Sequence, residues 1–300
     1  MKQKIFVAGS SNTDMVIRST RLPLPGETII GGEFFMNPGG KGANQAVAAA
    51  RLGGDVIFCC KLGRDIFGDS AIRQFEKEGI DTRFVSFDET HPSGVALINV
   101  DERGENAITV ASGANEWLLD TDVTAALTPV LQEVGFLLVQ LEIPLLTVIH
   151  LANLGAQHQK IVILNPAPAQ QLPPELYPLL DWITPNETEA EILTGISVTG
   201  HETARAAAAK LREKGVRQVI ITMGALGAWI SAPGLEQWVP TQTVKALDTT
   251  AAGDVFNGAL AVALAEEKDP LTAVQFASTA ATLSVTRMGA QASAPYRHEI

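Results

Sequence analysis

Cysteine is scarce: the 300 residues contain two, Cys59 and Cys60, and they are adjacent. Neighbouring cysteines rarely bridge each other, and two thiols alone make no zinc site. The pair reads as buried thiols in a reducing compartment. Basic charge is also short. The net charge is −11 and no basic cluster offsets it, which argues against a nucleic-acid partner. Long apolar runs are missing too. The longest candidate, Phe136 to Leu146, is interrupted by Gln140 and Glu142, so no segment is expected to span a bilayer. The N-terminal stretch enters a strand-like run without a cleavage-site pattern, and the expectation is a soluble cytoplasmic protein. Asn186-Glu187-Thr188 matches a glycosylation sequon, which has no meaning without a secretory signal. Low-complexity tracts and internal repeats are lacking, so the chain reads as one large domain, 1–300.

What is present is apolar material, 46% of the residues, in short regular bursts. Strands are expected at Lys4–Ala8, Val56–Cys60, Phe136–Leu141, Ile161–Leu164, Trp182–Thr184 and Val219–Thr222. Helices are expected at Ala43–Leu52, Ser70–Glu78, Leu145–Gln157, Glu187–Leu193 and Glu202–Lys214. Strands alternating with helices imply an α/β fold with a mainly parallel sheet covered on both faces. Four further strands break the rhythm: Asp14–Arg18, Thr28–Met36, and a hairpin of Gly94–Asp101 with Asn106–Ala111. They suggest a small appended sheet, about 14–36 and 94–111. One face of it would need cover from a ligand or a second subunit.

Several segments carry candidate chemistry. Pro38 to Gln45 reads Pro-Gly-Gly-Lys-Gly-Ala-Asn-Gln. Its glycines allow tight turning beside a ligand, and the unpaired N–H groups of the following helix would face the same place. An ordinary Gly-rich turn would look alike. It is not a Walker A loop, since no Ser or Thr follows Lys41. Asn12 and Asp14 follow the first strand and point the same way if extended, an amide and a carboxylate suited to sugar hydroxyls. Each could equally serve an Asx-turn. Glu142 lies at a strand end, where ligands of open α/β sheets bind, or is simply a helix-start acid. Asn186 and Glu189 could hold a hydrated Mg²⁺, or be capping chemistry alone. Thr222 to Gly227 is a turn with two glycines that could lie against a nucleotide, or any hairpin.

The stretch from Asp248 to Leu260 sharpens the picture. Ala251, Ala252 and Gly253 open a helix whose N-terminus attracts an anion by roughly 0.3–1 kcal/mol when exposed and up to ~2 when partly buried. Asp254 follows in the first turn, where the helix dipole is expected to lower its pKa. A weak base still suffices for phosphoryl transfer, whose transition state keeps the attacking hydroxyl's proton until late.

Together these motifs resemble the ribokinase-like (PfkB) family of carbohydrate kinases over nearly the whole chain. The marks are Gly-Gly-Lys-Gly-Ala-Asn-Gln-Ala from Gly39, Leu-Asn-Pro-Ala-Pro-Ala from Leu164 and Thr-Pro-Asn-Glu-Thr-Glu-Ala-Glu from Thr184. Asp-Thr-x-Ala-Ala-Gly-Asp-x-Phe-Asn-Gly-Ala from Asp248 is the most specific, and Val-Thr-Arg-x-Gly-Ala-Gln from Val285 completes the set. The resemblance implies a three-layer α/β/α sandwich with a β-sheet lid that closes over the sugar and pairs two subunits into a homodimer. It implies ATP-dependent phosphorylation of D-ribose at the 5-hydroxyl. Sugar contacts fall to Asn12, Asp14, Gly40, Lys41, Asn44, Glu142 and Asp254. Asp254 would be the base, with Ala251, Ala252 and Gly253 as the anion hole. ATP contacts fall to Asn186, Thr222, Met223, Gly224, Ala225, Leu226, Gly227 and Gly253. Ser278 stands where relatives often place a histidine or asparagine near the adenine. Mg²⁺ would be held through water by Glu189. A monovalent cation, usually K⁺, would be held by oxygens of Asp248, Thr250, Ser284, Arg287, Gly289 and Ser293. Rival expectations are a same-fold kinase for deoxyribose, fructose or a nucleoside, and a non-catalytic sugar-binding protein. A nicotinamide dehydrogenase is weaker, since no G-x-G-x-x-G follows the first strand.

Overall fold

Strand β1 (Lys4–Ala8) is apolar on both faces, and both are covered. Ile5 and Val7 join one core cluster, Phe6 and Ala8 another. Side chains alternate across a strand, so a continuous apolar run marks a strand buried on both sides. The computed structural model describes residues 3–300 and extends this logic to the whole sheet. Met1 and Lys2, which begin the N-terminal stretch, lie outside the described residues.

The chain continues through β2 (Asn12–Arg18), β3 (Glu33–Gly39), α1 (Lys41–Arg51), β4 (Val56–Gly63), α2 (Ile66–Lys77) and β5 (Val85–Asp88). A hairpin of β6 (Gly94–Val100) and β7 (Asn106–Ala111) follows. Then come α3 (Asp120–Leu127), β8 (Val134–Val139), α4 (Leu145–Gln157), β9 (Ile161–Leu164), β10 (Trp182–Ile183), α5 (Glu187–Thr194), α6 (His201–Glu213) and β11 (Gln218–Thr222). The described chain closes with β12 (Ala228–Ala232), β13 (Leu235–Val239), α7 (Ala252–Ala265) and α8 (Pro270–Ser284).

Nine strands form the central sheet in the order β13-β12-β11-β10-β9-β8-β1-β4-β5. It is parallel except at β12 and β13. Residues of α1, α2, α7 and α8 pack on one face and residues of α3 to α6 on the other, giving three layers. From β1 the chain first builds outward to β4 and β5, then returns to β8 on the other side. The β1/β8 boundary is therefore the topological switch point, the usual place for a ligand crevice in an open sheet. A second sheet, β3-β2-β6-β7, stands apart.

Several boundaries differ from expectation. The strand expected at Thr28–Met36 runs over Glu33–Gly39, because Gly31 and Gly32 adopt φ of 111° and 105° and break the extended chain before it. Helix α2 begins four residues before the expected Ser70, where Asp65 accepts from the N–H groups of Phe67 and Gly68. The strand expected to end at Leu141 ends at Val139, so Glu142 lies in the loop beyond it. Strands β5 and β13 and helices α3 and α8 were not expected. For α8 the sequence did carry a signal: Asp269 caps Thr272 N–H, and Pro270 opens the helix. Cys59 and Cys60 face opposite core clusters, are both buried and form no bridge. Burial pushes the Cys59 thiol up to about 12 and holds Cys60 well above its ordinary value.

Helix α7 is apolar almost all round and packs against both α1 and α8. Its approach to α1 depends on Gly258. A Cβ there would lie 2.7 Å from the Gln45 carbonyl and 2.9 Å from the Ala49 nitrogen, both backbone atoms. Gly258→Ala is expected to lower stability by about 1–3 kcal/mol, despite alanine's better helix propensity. Denaturant unfolding of the two proteins measures it.

Candidate active site

The switch-point crevice collects residues from distant parts of the chain. Gly9 to Asn12 leave β1 and Glu142 follows β8. Glu142 Oε2 accepts from Ser10 Oγ at 2.5 Å and from the Lys41 N–H at 2.9 Å. The next N–H groups of α1 are also taken: Gly42 reaches Ser10 Oγ at 3.3 Å and Ala43 reaches the Ser10 carbonyl at 2.8 Å. The expectation that the N–H groups at this helix start face a ligand unpaired is thus corrected. They bind the protein itself, because Gly40, at φ 88°, turns the chain into the β1 loop. Glu142 is a helix-start acid, but for α1 rather than for the helix next to it in sequence.

The N-terminus of α7 is different. The N–H groups of Ala251, Gly253 and Asp254 have no hydrogen-bond partner among the described residues, whereas that of Ala252 reaches the Thr249 carbonyl at 3.3 Å. Ala251 caps the helix in the left-handed region at φ 59°. A non-glycine residue there stores roughly 1 kcal/mol or more of strain, and such strain gathers at working sites.

Asp254 lies in the first turn of α7 and is 5% exposed. Asn44 Nδ2 donates to its Oδ2 at 2.9 Å and Gln45 Nε2 to its Oδ1 at 3.0 Å. Burial raises its pKa. Lys41 and the two amide bonds pull the other way, and Glu142 adds to the rise. The balance is upward, so the lowering expected from the helix dipole is overruled by desolvation. Asp254 is a stronger base than a surface aspartate. Lys41 is surrounded by acids. Burial pulls its ammonium down, but Asp254, Glu142, Glu189 and Asp14 outweigh this and hold it charged.

Asn12 and Asp14 share one face of β2. Asn115 Nδ2 donates to Asn12 Oδ1 at 2.8 Å, which leaves the Asn12 amide group to act as a donor. The Asp14 carboxylate lies directly over Gly39, where a Cβ would meet both oxygens at 2.4 Å. Burial, then Glu142 and Asp254, raise Asp14 to about 6. Asn44 Oδ1 is buried with no partner among the described residues, so a hydroxyl donor would satisfy it. A cavity of about 410 Å³ is lined by Asn12, Asn115 and Glu142 together with Val110 of the second sheet. Amide donors, carboxylate acceptors and an apolar roof suit a small polyhydroxy ligand.

A second cavity, about 550 Å³, lies at the α7 start. Ala252, Gly253, Asn186, Thr222, Gly224, Ala225, Gly227 and Ser278 are among its lining. Met223 is buried in the core and Leu226 is half exposed, and neither is a lining residue. Asn186 and Glu189 form a reciprocal cap. Glu189 N–H donates to Asn186 Oδ1, and Asn186 donates to both Glu189 oxygens, from its backbone to Oε2 and from its side chain to Oε1. Burial raises Glu189. Among the described residues no group of three His, Cys, Asp or Glu could form a metal cage. Mg²⁺ does not need one, since it keeps waters and leans on substrate phosphates.

Beside the α7 start, Asp248 ties two loops together. Its Oδ1 accepts from Thr250 N–H at 2.9 Å and its Oδ2 from Gly289 N–H at 2.8 Å. Burial raises its pKa, but these bonds outweigh it and keep the carboxylate ionised. Ser284 and Ser293 are buried, and the Ser284 carbonyl also accepts from Arg287 N–H at 3.0 Å. One ionised carboxylate among carbonyls and hydroxyls is an oxygen-only donor set, which fits a hard cation.

The model of the pfkB family of carbohydrate kinases matches residues 2–297. The chain belongs to that family. It is 45% identical over 299 residues to a ribokinase of Haemophilus influenzae, covering 100% of this chain and 97% of the relative. A deoxyribokinase of Salmonella typhi is 40% identical over 292 residues, with 97% and 95% covered. Among solved structures, Arabidopsis thaliana ribokinase complexed with ribose and ATP superposes with a TM-score of 0.89 at 32% identity, covering 99% of this kinase and 97% of that chain.

The sequence reading overlooked residues of this kinase that act at second hand. Asn165 lies within the Leu-Asn-Pro-Ala-Pro-Ala mark but was given no role, while Ser10, Asn115 and Gln140 were not singled out as site residues. Of these, Gln140, a polar residue interrupting an apolar strand, carried the clearest signal, and all four are buried.

Asp14 provides a test. A carboxyl with folded pKa about 6 against an ordinary 3.8 opposes folding when ionised. Its contribution to stability is fully present below the unfolded value and is lost as pH rises through about 6. Asp14→Asn is therefore expected to be more stable than the parent above that window by roughly 1–2 kcal/mol, with the difference vanishing in acid. Thermal unfolding across the pH range measures it.

Proposed function

We propose that this kinase transfers the γ-phosphoryl group of ATP to the 5-hydroxyl of D-ribose, giving D-ribose 5-phosphate and ADP. The observation that carries the reading is the position of Asp254. A buried, upward-shifted carboxylate stands at a helix start with open N–H groups, bonded to Asn44 of the Gly-rich α1 start and next to Gly253, which lines a cavity large enough for a nucleotide.

In this reading Asn12, Asp14, Gly40, Lys41, Asn44 and Glu142 hold the sugar, and Asp254 takes the hydroxyl proton as the oxygen attacks phosphorus. Asn12 donates and Asp14 accepts, so neighbouring hydroxyls are read as a pattern. The open N–H groups at Ala251 and Gly253, with Lys41, stabilise charge on the transferring group. The α5 cap at Asn186, the 222–227 turn and Ser278 border the nucleotide. Mg²⁺ supplies charge neutralisation on the phosphates, and Glu189 would hold one of its waters. K⁺ beside Asp248, Thr250, Ser284, Arg287, Gly289 and Ser293 would supply a fixed positive charge next to the anion hole. The ribokinase name of the Haemophilus influenzae relative and the ribose and ATP in the Arabidopsis thaliana complex support the substrates.

The second sheet serves as the lid, with Ile108 and Val110 on the same face as Asn12 and Asp14. Ile17, Phe34, Met36 and Leu97 crowd the opposite face and are 44–60% exposed. That apolar surface supports pairing of two lids in a homodimer. Among the described residues no helix is long and apolar enough to cross a membrane, and we place the enzyme in the cytoplasm.

A second reading is deoxyribose as substrate, favoured by the Salmonella typhi relative. A kinase assay over D-ribose, 2-deoxyribose, fructose and nucleosides, with ATP and Mg²⁺ and with or without K⁺, separates them. The expected outcome is the highest kcat/KM for D-ribose and a rise on adding K⁺. A preference for 2-deoxyribose would replace the proposal. Asp254→Asn is expected to lose at least about a hundredfold in kcat. Near parental turnover would remove the base role, and sugar binding without ADP formation in the parent would make the protein a binder.

A further inference from the structure

The carboxylate of Asp254 has two side-chain donors, and they are not equivalent. Asn44, which is 7% exposed, donates from Nδ2 to Oδ2. Gln45 Nε2 reaches Oδ1 from the core, where Gln45 is completely buried. Gln45 cannot touch a ligand, yet it fixes one of the two carboxylate oxygens.

The Gln45 amide is part of a chain. Gln140 Nε2 donates to Gln45 Oε1 at 2.6 Å, and Gln45 Nε2 also donates to Asn165 Oδ1 at 3.0 Å. Asn165 Nδ2 reaches the Thr184 carbonyl at 3.4 Å. Thr184 Oγ1 donates to Asn257 Oδ1 at 2.6 Å, and Asn257 Nδ2 donates to the Gly253 carbonyl at 2.8 Å. All five side chains are 6% exposed or less. The chain begins beside Asp254 and ends on the backbone of the anion seat.

Two ends of an amide look alike, so its partners decide which end points where. Gln140 presents a donor to Gln45 Oε1, which turns the Gln45 NH₂ toward Asp254. The opposite orientation would set an amide oxygen against a carboxylate. Gln140 Oε1 packs against Gly9, where a Cβ would lie 2.1 Å from it, and has no hydrogen-bond partner among the described residues, so Gln140 is held by packing and by its bond to Gln45. We infer that Gln45 is a positioning residue for Asp254, held in its donating orientation by Gln140. Asn165, Thr184 and Asn257 carry the same restraint to the anion seat. Base and seat then keep one geometry through the reaction.

The inference rests on the reading of Asp254 as the base. The groups facing its carboxylate are Lys41 and Asn44 from α1, Asp14 from β2, Glu142 beyond β8 and Glu189 from α5. With the Gln45 donor gone, burial and the neighbouring acids meet less opposition. Asp254 then takes its proton at higher pH, and the acid limb of the kcat profile moves up.

The test is steady-state kinetics with ATP and the preferred sugar, across pH, for Gln45→Met, Gln140→Met and Asp254→Asn. Folding is checked by circular dichroism. Gln45→Met is expected to lose about tenfold or more in kcat, with the sugar KM within about twofold of the parent and the acid limb raised. Gln140→Met leaves Gln45 in place but free to turn, and is expected to show a smaller shift in the same sense. Parental kcat and acid limb in Gln45→Met overturn the inference, as does a raised KM with kcat unchanged. Should Gln45→Met not fold, an unmoved acid limb in Gln140→Met overturns it. Asp254→Asn separates the two claims. If it stays active, the base reading falls. If it is inactive while both glutamine variants behave as the parent, only the inference falls.

Discussion

The burial of one carboxylate governs the arrangement of this site. Asp254 sits almost out of reach of water, burial raises its pKa, and Lys41, Asn44 and Gln45 oppose that rise by favouring its charged form. All three come from the first turns of α1. Helices α1 and α7 must therefore touch closely at one end, and Gly258 with the run of alanines in α1 lets them. The apolar packing and the chemistry share this contact. Hydrophobic burial brings the helices together, and the same approach desolvates Asp254.

The two helix starts in the crevice are handled in opposite ways. At α1 the chain satisfies its own N–H groups with Glu142 and Ser10, which locks the Gly-rich loop. At α7 the N–H groups of Ala251 and Gly253 stay open, and the strained Ala251 holds them so. A bonded helix start gives rigidity, while an open one keeps its dipole for an anion. The fold sets the two beside each other, joined by the Asn44–Asp254 bond.

The layered fold was largely legible from pattern. β1, β9 and α4 fall on the residues their hydrophobic periodicity indicates. Departures arose from two causes. Helix α1 starts two residues early because Glu142, 101 residues on, accepts from Lys41 N–H, and local propensity holds no information about that partner. Strand β3 starts late because Gly31 and Gly32, at positive φ, come immediately before it, a local signal that the strand pattern overrode. The direction of the Asp254 shift was misjudged for the first of these causes. The helix dipole belongs to the local sequence, but desolvation comes from everything packed around it.

The sequence by itself determined which elements form, because residue spacing fixes which side of a helix or strand is apolar. It also determined which residue types are on hand for sugar and phosphate chemistry. Tertiary structure alone decided which of those groups are already spent on one another. Asn12 Oδ1 belongs to Asn115, and Gln45 to Gln140 and Asp254. A hydrogen-bond donor is committed by geometry, and partners brought together across the sheet are more than ninety positions apart for Gln45 and more than two hundred for Asp254.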